Sequence, residues 1–248
     1  MSDWLRELGF RARSALRWSL PAWKRTRTLT QVLPRLSPEG RVRAEALAAR
    51  HDLAAAWSAC CSLTDWRESL YVLDLLDRHL PGGLPEGRGL DVGAKNGATL
   101  PGLATAQPRG WDAVELDAHR RYLSGATRRA HGERMARSFA GCRFIAGDVR
   151  GLEGPWAVVT WLLPFLSEWP VAAWGLPRRV LAPAELLRHV LERLVPGGCL
   201  FIVNQAEEVE LQRSLLEELG ISARALGVLD SPLSPYQRER VGWLIRRG

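Results

Sequence analysis

The stretch from Gly89 to Gly97 constrains this chain most. It reads Gly-Leu-Asp-Val-Gly-Ala-Lys-Asn-Gly, a short apolar run with an acid at its end, followed by two glycines four residues apart. A short apolar run bounded by glycines is typical of a buried strand. Glycines directly after such a strand let bare backbone approach a nucleotide-like ligand, because a Cβ would block the approach or the positive φ of the turn. The stretch therefore predicts a strand that leads into a ligand-binding turn.

A second predicted strand carries a carboxylate at its end. The run Trp-Asp-Ala-Val-Glu-Leu-Asp covers residues 111–117, and Glu115 follows Gly97 by 18 positions, which is room for one helix and a short return loop. In doubly wound folds, a carboxylate at the tip of the second strand binds the two hydroxyls of a ribose. Glu115 is therefore a candidate ribose ligand, and Asp117, two positions further along the predicted strand face, is a second candidate.

The spacing of the glycines excludes two nucleotide-binding motifs. The dinucleotide fingerprint requires a glycine where Lys95 stands, and a P-loop requires a Gly-Lys-Ser/Thr triplet after four variable positions. The pattern that remains is Asp-x-Gly-x-x-x-Gly over residues 91–97, with an acid after the next strand. This pattern resembles motif I of the class I S-adenosylmethionine-dependent methyltransferases.

Three further segments resemble the same family in its own order and spacing. They resemble the third strand with its Gly-Asp-Val turn, the fourth strand, and a helix with a Pro-Gly-Gly turn and the fifth strand, and they cover residues 142–149, 155–163 and 186–203. The resemblance implies an α/β fold: a doubly wound, seven-stranded, mostly parallel sheet with an antiparallel last strand, preceded by an N-terminal helical extension. We divide the chain into a basic, tryptophan-containing helical extension, 1–69, and a class I methyltransferase-like domain, 70–248.

The resemblance also implies an activity, a cofactor and a binding site. The activity is methyl transfer from S-adenosyl-L-methionine to a small molecule or to a lipid- or sugar-linked acceptor. In the family, the first acid orients the glycine loop, the acid after the second strand holds the ribose, and the acid after the third strand meets the adenine amino group. Carried onto this sequence, the donor-binding residues are Asp91, Gly93, Ala94, Lys95, Gly97, Glu115, Leu116, Asp117, Asp148, Val149 and Trp161.

Lys95 departs from the family pattern, which has a small residue at this position. The donor is a sulfonium cation, and an ammonium beside its sulfur is repelled by about 1 kcal/mol when solvated and by more when desolvated. One interpretation is that Lys95 points to solvent or to the donor's methionine carboxylate. The other is that the loop no longer holds this donor, so that the chain is a non-catalytic methyltransferase-like binding or scaffold protein. A nucleotide- or NAD-linked enzyme is a third hypothesis, and the missing fingerprint argues against it.

Acceptor residues are harder to identify, because methyl transfer depends mainly on holding two reacting atoms in line about 3 Å apart. The segment 162–181 is rich in tryptophan and broken by prolines, so it is predicted to be an irregular loop over the sheet edge, where aromatic side chains either line a pocket or pack. No Asn-Pro-Pro-Tyr-like run follows the fourth strand, which argues against methylation of amino groups on nucleic-acid bases. The candidates are Trp169, Asn204 and Gln205 as acceptor contacts, and His119 and Tyr236 as general bases.

The net charge of +7 is concentrated in the extension. Residues 1–50 contain eleven Arg and Lys and four acids, so that the remainder of the chain is neutral. Within it, an amphipathic helix bearing Trp and Arg is predicted over residues 3–20 and ends at Pro21. Three interpretations stay open: a solvated arginine face, peripheral contact with a membrane surface through residues 1–30, and a nucleic-acid patch. Nucleic acid is the least expected partner, because the charge lies at one end and no recognition motif accompanies it.

The remaining features predict location and local structure. The four cysteines form no Cys-x-x-Cys pair and no Cys/His cluster, which predicts no metal site and no disulfide framework. No apolar run approaches the roughly 18 residues of a membrane span, and no signal peptide is predicted. The expected location is the cytoplasm, with or without peripheral attachment to the inner face of the membrane. Helices are predicted over residues 39–61, over 65–79 with Thr64 as the cap, and over 184–195.

Overall fold

Seven strands form one sheet in the computed structural model, which describes residues 2–107 and 109–248. The strands are β1 (Gly89–Val92), β2 (Trp111–Glu115), β3 (Arg143–Ala146), β4 (Trp156–Leu162), β5 (Leu194–Gln205), β6 (Arg224–Val228) and β7 (Arg240–Arg246). Their order across the sheet is β3-β2-β1-β4-β5-β7-β6. Every pairing is parallel except the two made by β7, which is antiparallel to β5 and to β6. The predicted mostly parallel sheet with an antiparallel last strand is therefore confirmed.

Helices precede the sheet and then alternate with its strands. Those before β1 are α1 (Asp3–Ala15), α2 (Leu29–Val32), α3 (Pro38–Arg50), α4 (Ala54–Cys60) and α5 (Leu63–His79). Those after β1 are α6 (Leu100–Ala106), α7 (Arg128–Ala136), α8 (Glu168–Ala173), α9 (Pro183–Glu192) and α10 (Val209–Glu218).

The central strands are buried on both faces. This burial agrees with their sequences, because strands covered on both sides consist of near-continuous apolar runs. Successive side chains of β4 enter different clusters, since strand residues alternate between faces. Val158 packs with residues of α5 and α6, whereas Val159 packs with residues of α9 and α10. Because β1 to β4 are parallel, their carboxyl ends meet at one edge, which is where ligands bind in open α/β sheets.

The helix predicted over residues 39–61 is two helices, α3 and α4. The backbone at His51 is extended, with φ −124° and ψ 139°, so the first helix stops there. The break brings Leu47 before it and Trp57 after it into one core cluster, where both are fully buried. Alanine-rich composition favours one long helix, but burial of these two side chains overrides that propensity.

Helix α5 starts two residues earlier than predicted. Its cap is Ser62 rather than Thr64: the Ser62 N–H donates to the Asp65 carboxylate at 2.9 Å, and the Asp65 N–H donates to the Ser62 hydroxyl at 3.4 Å. This reciprocal capping box satisfies two backbone donors at the helix start. The helix then runs unbroken across residue 70, and the division of the chain at that point stays a prediction.

Two further helices are shorter than predicted. α1 ends at Ala15 instead of continuing to the residue before Pro21. α9 ends at Glu192, because Leu194 already pairs with Trp156 of β4 and the Pro-Gly-Gly turn lies within β5. No helix in the described ranges combines the length and the apolar character that a membrane crossing requires.

Candidate functional site

A cavity of about 840 Å³ lies at the carboxyl ends of β1, β2 and β4. The strand ends and the loops that follow them line one part of it. The extension lines another part, through Lys24, Arg25 and Arg27, and the tryptophan-rich segment contributes Phe165 and Trp174. Small-molecule sites span roughly 300–1,000 Å³, so the cavity has room for a donor and for part of an acceptor.

Asp91, on β1, is a buried carboxylate held by two hydroxyls. The register between β1 and β4 places Thr160 beside it, and the Thr160 hydroxyl donates to Oδ1 at 2.8 Å. The Thr99 hydroxyl, at the start of α6, donates to Oδ2 at 2.9 Å. Burial raises the pKa of Asp91 to about 6, because two neutral donors compensate only part of the lost hydration. The carboxylate thereby ties β1, β4 and the end of the glycine loop together.

The glycine loop presents bare backbone to the cavity. Gly93 has φ +75°, and a Cβ built on it would have no heavy atom within 4 Å, so the added carbon would project into open space. Ala94 lines the same wall. Lys95 is also left-handed, with φ +53°; it is an exposed residue that lines the cavity, and its backbone N–H donates to Glu115 Oε2 at 2.8 Å. The loop is thus anchored to the end of β2 and leaves room where a ligand could approach.

Glu115 lines the cavity at the end of β2 and already accepts three hydrogen bonds. Oε2 accepts from the Lys95 N–H, and Oε1 accepts from Arg128 Nη1 and from the Asp117 N–H, both at 2.9 Å. Burial raises the pKa of Glu115, and the Arg128 guanidinium opposes that rise. A carboxylate has about four lone-pair positions, so one position on Oε2 is left for a ribose hydroxyl.

Asp117 does not line the cavity, which corrects its predicted role as a second ribose ligand. Its carboxylate is buried and accepts from Arg120 at 2.6 Å and from Arg13 of α1 at 3.2 Å, and Arg128 lies 3.9 Å away. β2 ends at Glu115, so the alternation of a strand no longer holds two residues later. Asp117 therefore anchors the extension to the sheet edge.

The other predicted donor residues divide in the same way. Asp148 and Val149, which follow β3, line the cavity. Leu116 and Trp161 line it as well. Burial alone would raise the pKa of Asp148, but hydrogen bonds from Arg150 dominate and lower it, so this carboxylate is ionised. Gly97 lies outside the cavity: a Cβ there would come within 3.3 Å of the Gly132 Cα, so this glycine permits close packing of α7.

Two of the five acceptor candidates line the cavity, Gln205 and Tyr236. The Tyr236 hydroxyl donates to the Glu68 carboxylate, and burial raises the pKa of the phenol. A tyrosine that holds its proton this firmly is not a ready base. Glu68, whose carboxylate accepts this hydrogen bond, also lines the cavity.

The remaining three candidates lie elsewhere, which corrects their predicted roles. Asn204 is fully buried in β5 and does not line the cavity. Trp169 is 70% exposed on α8. His119 is outside the lining, and burial lowers its pKa.

Several residues at the cavity were not predicted as site residues. Arg128 is buried against Glu115 and lies over the Trp174 ring, 4.7 Å from its centroid. Lys24 pairs with buried Asp65 at 2.5 Å, which fixes the extension beside the cavity. The basic run containing Lys24 is visible in the sequence, but only its tertiary contacts bring it here.

Comparison with known proteins identifies the fold. The sequence matches no protein-family model, and a search of curated proteins gives no match. A S-adenosylmethionine-dependent methyltransferase from Clostridium acetobutylicum ATCC 824 is similar in structure, with a TM-score of 0.51 and 12% identity over 73% of this chain and 92% of that chain. TrmN from Thermus thermophilus has a TM-score of 0.50 and 20% identity over 74% of this chain and 53% of that chain. The chain therefore has the Rossmann-like fold of class I methyltransferases.

The comparisons leave the acceptor class open. An rRNA methylase from Streptococcus thermophilus is also among the neighbours, with a TM-score of 0.42 and 16% identity over 71% of this chain and 93% of that chain. The comparisons do not determine the acceptor, so the expectation that nucleic acid is an unlikely partner is not supported and stays a prediction.

Proposed function

We propose that this protein binds S-adenosyl-L-methionine in the cavity and transfers its methyl group to an acceptor that enters beside the extension. One observation carries the proposal: Asp91, Gly93, Glu115 and Asp148, which the sequence predicts as donor ligands, line one cavity at the carboxyl edge of the sheet. When bound, this donor supplies a methyl group activated by a sulfonium.

The chain's own residues would hold the donor by its polar ends. Glu115 accepts a ribose hydroxyl on the free position of Oε2, and Asp148 with the Val149 backbone holds the adenine. Gly93 lets the donor lie against bare backbone, because the space that a Cβ would fill is open. Lys95 is exposed at the same wall, where its ammonium can pair with the donor's methionine carboxylate.

The acceptor side is formed by aromatic side chains and one carboxylate. Trp161, Phe165 and Trp174 line it, and apolar walls of this kind bind the carbon skeleton of a ligand and keep water from the reacting atoms. Glu68 can take a proton from an acceptor hydroxyl or ammonium group, with Tyr236 as its hydrogen-bond donor. We propose a small-molecule or lipid- or sugar-linked acceptor.

Isothermal titration calorimetry with S-adenosylmethionine and S-adenosylhomocysteine tests the proposal. Glu115→Gln should weaken both affinities by more than about tenfold, because a charge-assisted hydrogen bond to the ribose is lost. Glu86→Gln, at a side chain that is 87% exposed, is the matched control and should bind like wild type. Absence of heat with both ligands in the folded wild-type protein would overturn the enzymatic proposal in favour of a scaffold.

The acceptor class is tested separately with methyl-tritiated donor and a cell extract. We expect label in the organic-soluble or small-molecule fraction. Label that appears in the RNA fraction and is released by ribonuclease would overturn the proposed acceptor class while leaving methyl transfer intact.

A further inference from the structure

Helix α1 turns its apolar face to solvent. Trp4, Leu5 and Leu8 are 65%, 41% and 57% exposed. At 100° per residue they share a face with Ala12 and Ala15, which are exposed as well. An amphipathic helix of a globular protein normally turns this face to the core, so the orientation of α1 is inverted.

The opposite, polar face of α1 contacts the rest of the protein. The Arg179 guanidinium donates to the Glu7 carboxylate at 2.8 Å, and Arg13 donates to Asp117 at 3.2 Å. Phe10 is the buried residue of this helix and packs in a small cluster beside α8. The inverted orientation is therefore held by ion pairs as well as by one apolar anchor.

The exposed apolar surface continues beyond α1. We call it the apolar surface of the extension, and its large side chains are Trp4, Leu5, Leu8, Leu16, Trp18, Leu20 and Trp23, between 41% and 78% exposed. A further exposed tryptophan, Trp169, lies on α8, whose Val171 packs with Phe10. Among the described residues, the exposed tryptophans are three of the extension and one of α8, namely Trp4, Trp18, Trp23 and Trp169. Clustered exposed apolar side chains mark an interaction site.

The charge around this surface is positive. Residues 2–28 contain seven Arg and Lys and two acids, Asp3 and Glu7. Both acids bind the protein, because Asp3 accepts from the Arg178 N–H at 2.9 Å and Glu7 accepts from Arg179. Exposed arginines 11, 17 and 25 stand among the apolar side chains. The outward face therefore combines tryptophan, leucine and arginine, and both acids of this segment pair with arginines, with the Asp3 side chain 45% exposed.

We propose that the apolar surface of the extension inserts into the interface of a bilayer that contains anionic lipid. Tryptophan places an apolar ring and a polar N–H at the headgroup level, and arginine pairs with anionic headgroups around it. A second copy of the chain fits this surface less well, because it would bring one set of arginines against another. Nucleic acid would satisfy the arginines but leave the leucines and tryptophans in water.

Flotation of the full-length protein with vesicles tests the proposal. The probes are vesicles of phosphatidylcholine alone and of equal parts phosphatidylcholine and phosphatidylglycerol. We expect binding to the anionic vesicles, weakening as salt screens the arginines. Leu8→Glu should lower the apparent partition coefficient between water and vesicles at least about tenfold. It removes a leucine that would be buried in the bilayer and adds an anion that anionic lipid repels. Leu211→Glu is the matched control, since Leu211 is also an exposed leucine on a helix, at 45% exposure, and it should change binding by less than about twofold.

A second measurement separates the outcomes. Brominated phosphatidylcholine should quench the tryptophan fluorescence of wild type, and the Trp4→Ser/Trp23→Ser variant should lose the part of that quenching that comes from these two tryptophans while keeping its melting temperature. Equal loss of binding in Leu8→Glu and Leu211→Glu, or no flotation of wild type with anionic vesicles, would overturn the proposal. Sedimentation that shows a dimer dissociated by Leu8→Glu, without lipid binding, would assign the surface to a second copy instead.

Discussion

Replacing Asp91 by asparagine should stabilise the fold at neutral pH. Asp91 is 2% exposed, its hydrogen-bond donors are two threonine hydroxyls, and burial raises its pKa from 3.8 to about 6. A shift of about two units corresponds to about 3 kcal/mol, at roughly 1.4 kcal/mol per unit. That free energy opposes folding once the carboxyl is ionised. Asp91→Asn removes the charge at nearly constant shape, and either threonine hydroxyl can rotate to accept from the new amide.

The sign of the pH dependence follows from proton binding. Between about pH 4 and pH 6 the folded protein holds a proton on Asp91 that the unfolded chain has released, so the contribution of this group to stability is present below that window and is lost as pH rises through it. The free energy of unfolding of Asp91→Asn should therefore exceed that of wild type by almost nothing at the acid end of this window. The difference should grow to about 3 kcal/mol above the window.

Urea unfolding of both proteins across this pH window measures the difference. Asp52→Asn, at an exposed carboxyl, controls for the amide substitution itself and should show no such pH-dependent gain. An Asp91→Asn protein that is less stable than wild type at neutral pH, or a difference that does not vary with pH, would refute the reasoning. The same variant should bind S-adenosylmethionine more weakly than wild type. A buried carboxylate costs stability, and such a cost is typical of a residue that is kept for function.

Two further substitutions test how the elements beside the cavity are built. Ser62→Ala should lower the free energy of unfolding by about 1 kcal/mol, since it removes the capping box with Asp65, and chemical denaturation that shows no loss would contradict this. Gly102→Ala should cost about 1–3 kcal/mol, because the added Cβ would overlap the Ser69 carbonyl where α6 crosses α5. Gly147→Ala, where a Cβ meets nothing within 4 Å, is its control; equal melting temperatures for the two variants would rule out close helix packing as the cause.

Short-range patterns predict the sheet and the part of the cavity that the strand ends line. Asp91, Glu115 and Asp148 each stand at or just past the carboxyl end of a strand, and parallel strands bring such positions to one edge. That arrangement depends on the order of local segments, which the sequence displays directly. The prediction for Asp117 is wrong because β2 has already ended at Glu115. The chain turns there, and the Asp117 N–H donates to the Glu115 carboxylate.

The part of the cavity beside the extension could not be predicted in this way, because it is assembled from distant segments. Glu68 of α5 meets Tyr236 from the loop between β6 and β7, and Lys24 reaches Asp65 across the extension. No periodicity links such positions. Strand alternation does not decide between Asn204 and Gln205, because residues from both faces of β1, β2 and β4 line the cavity.

The two buried acids at the end of β2, Glu115 and Asp117, connect α1 to the cavity through ion pairs. Arg13 of the helix holds Asp117, Arg128 stands between Asp117 and Glu115, and Glu115 faces the cavity. Alternating charges thus join α1 to Glu115, the carboxylate that we propose binds the ribose of the donor. A displacement of α1 would move the Arg13 charge away from Asp117 and would thereby change the electrostatic surroundings of Glu115 at the cavity wall.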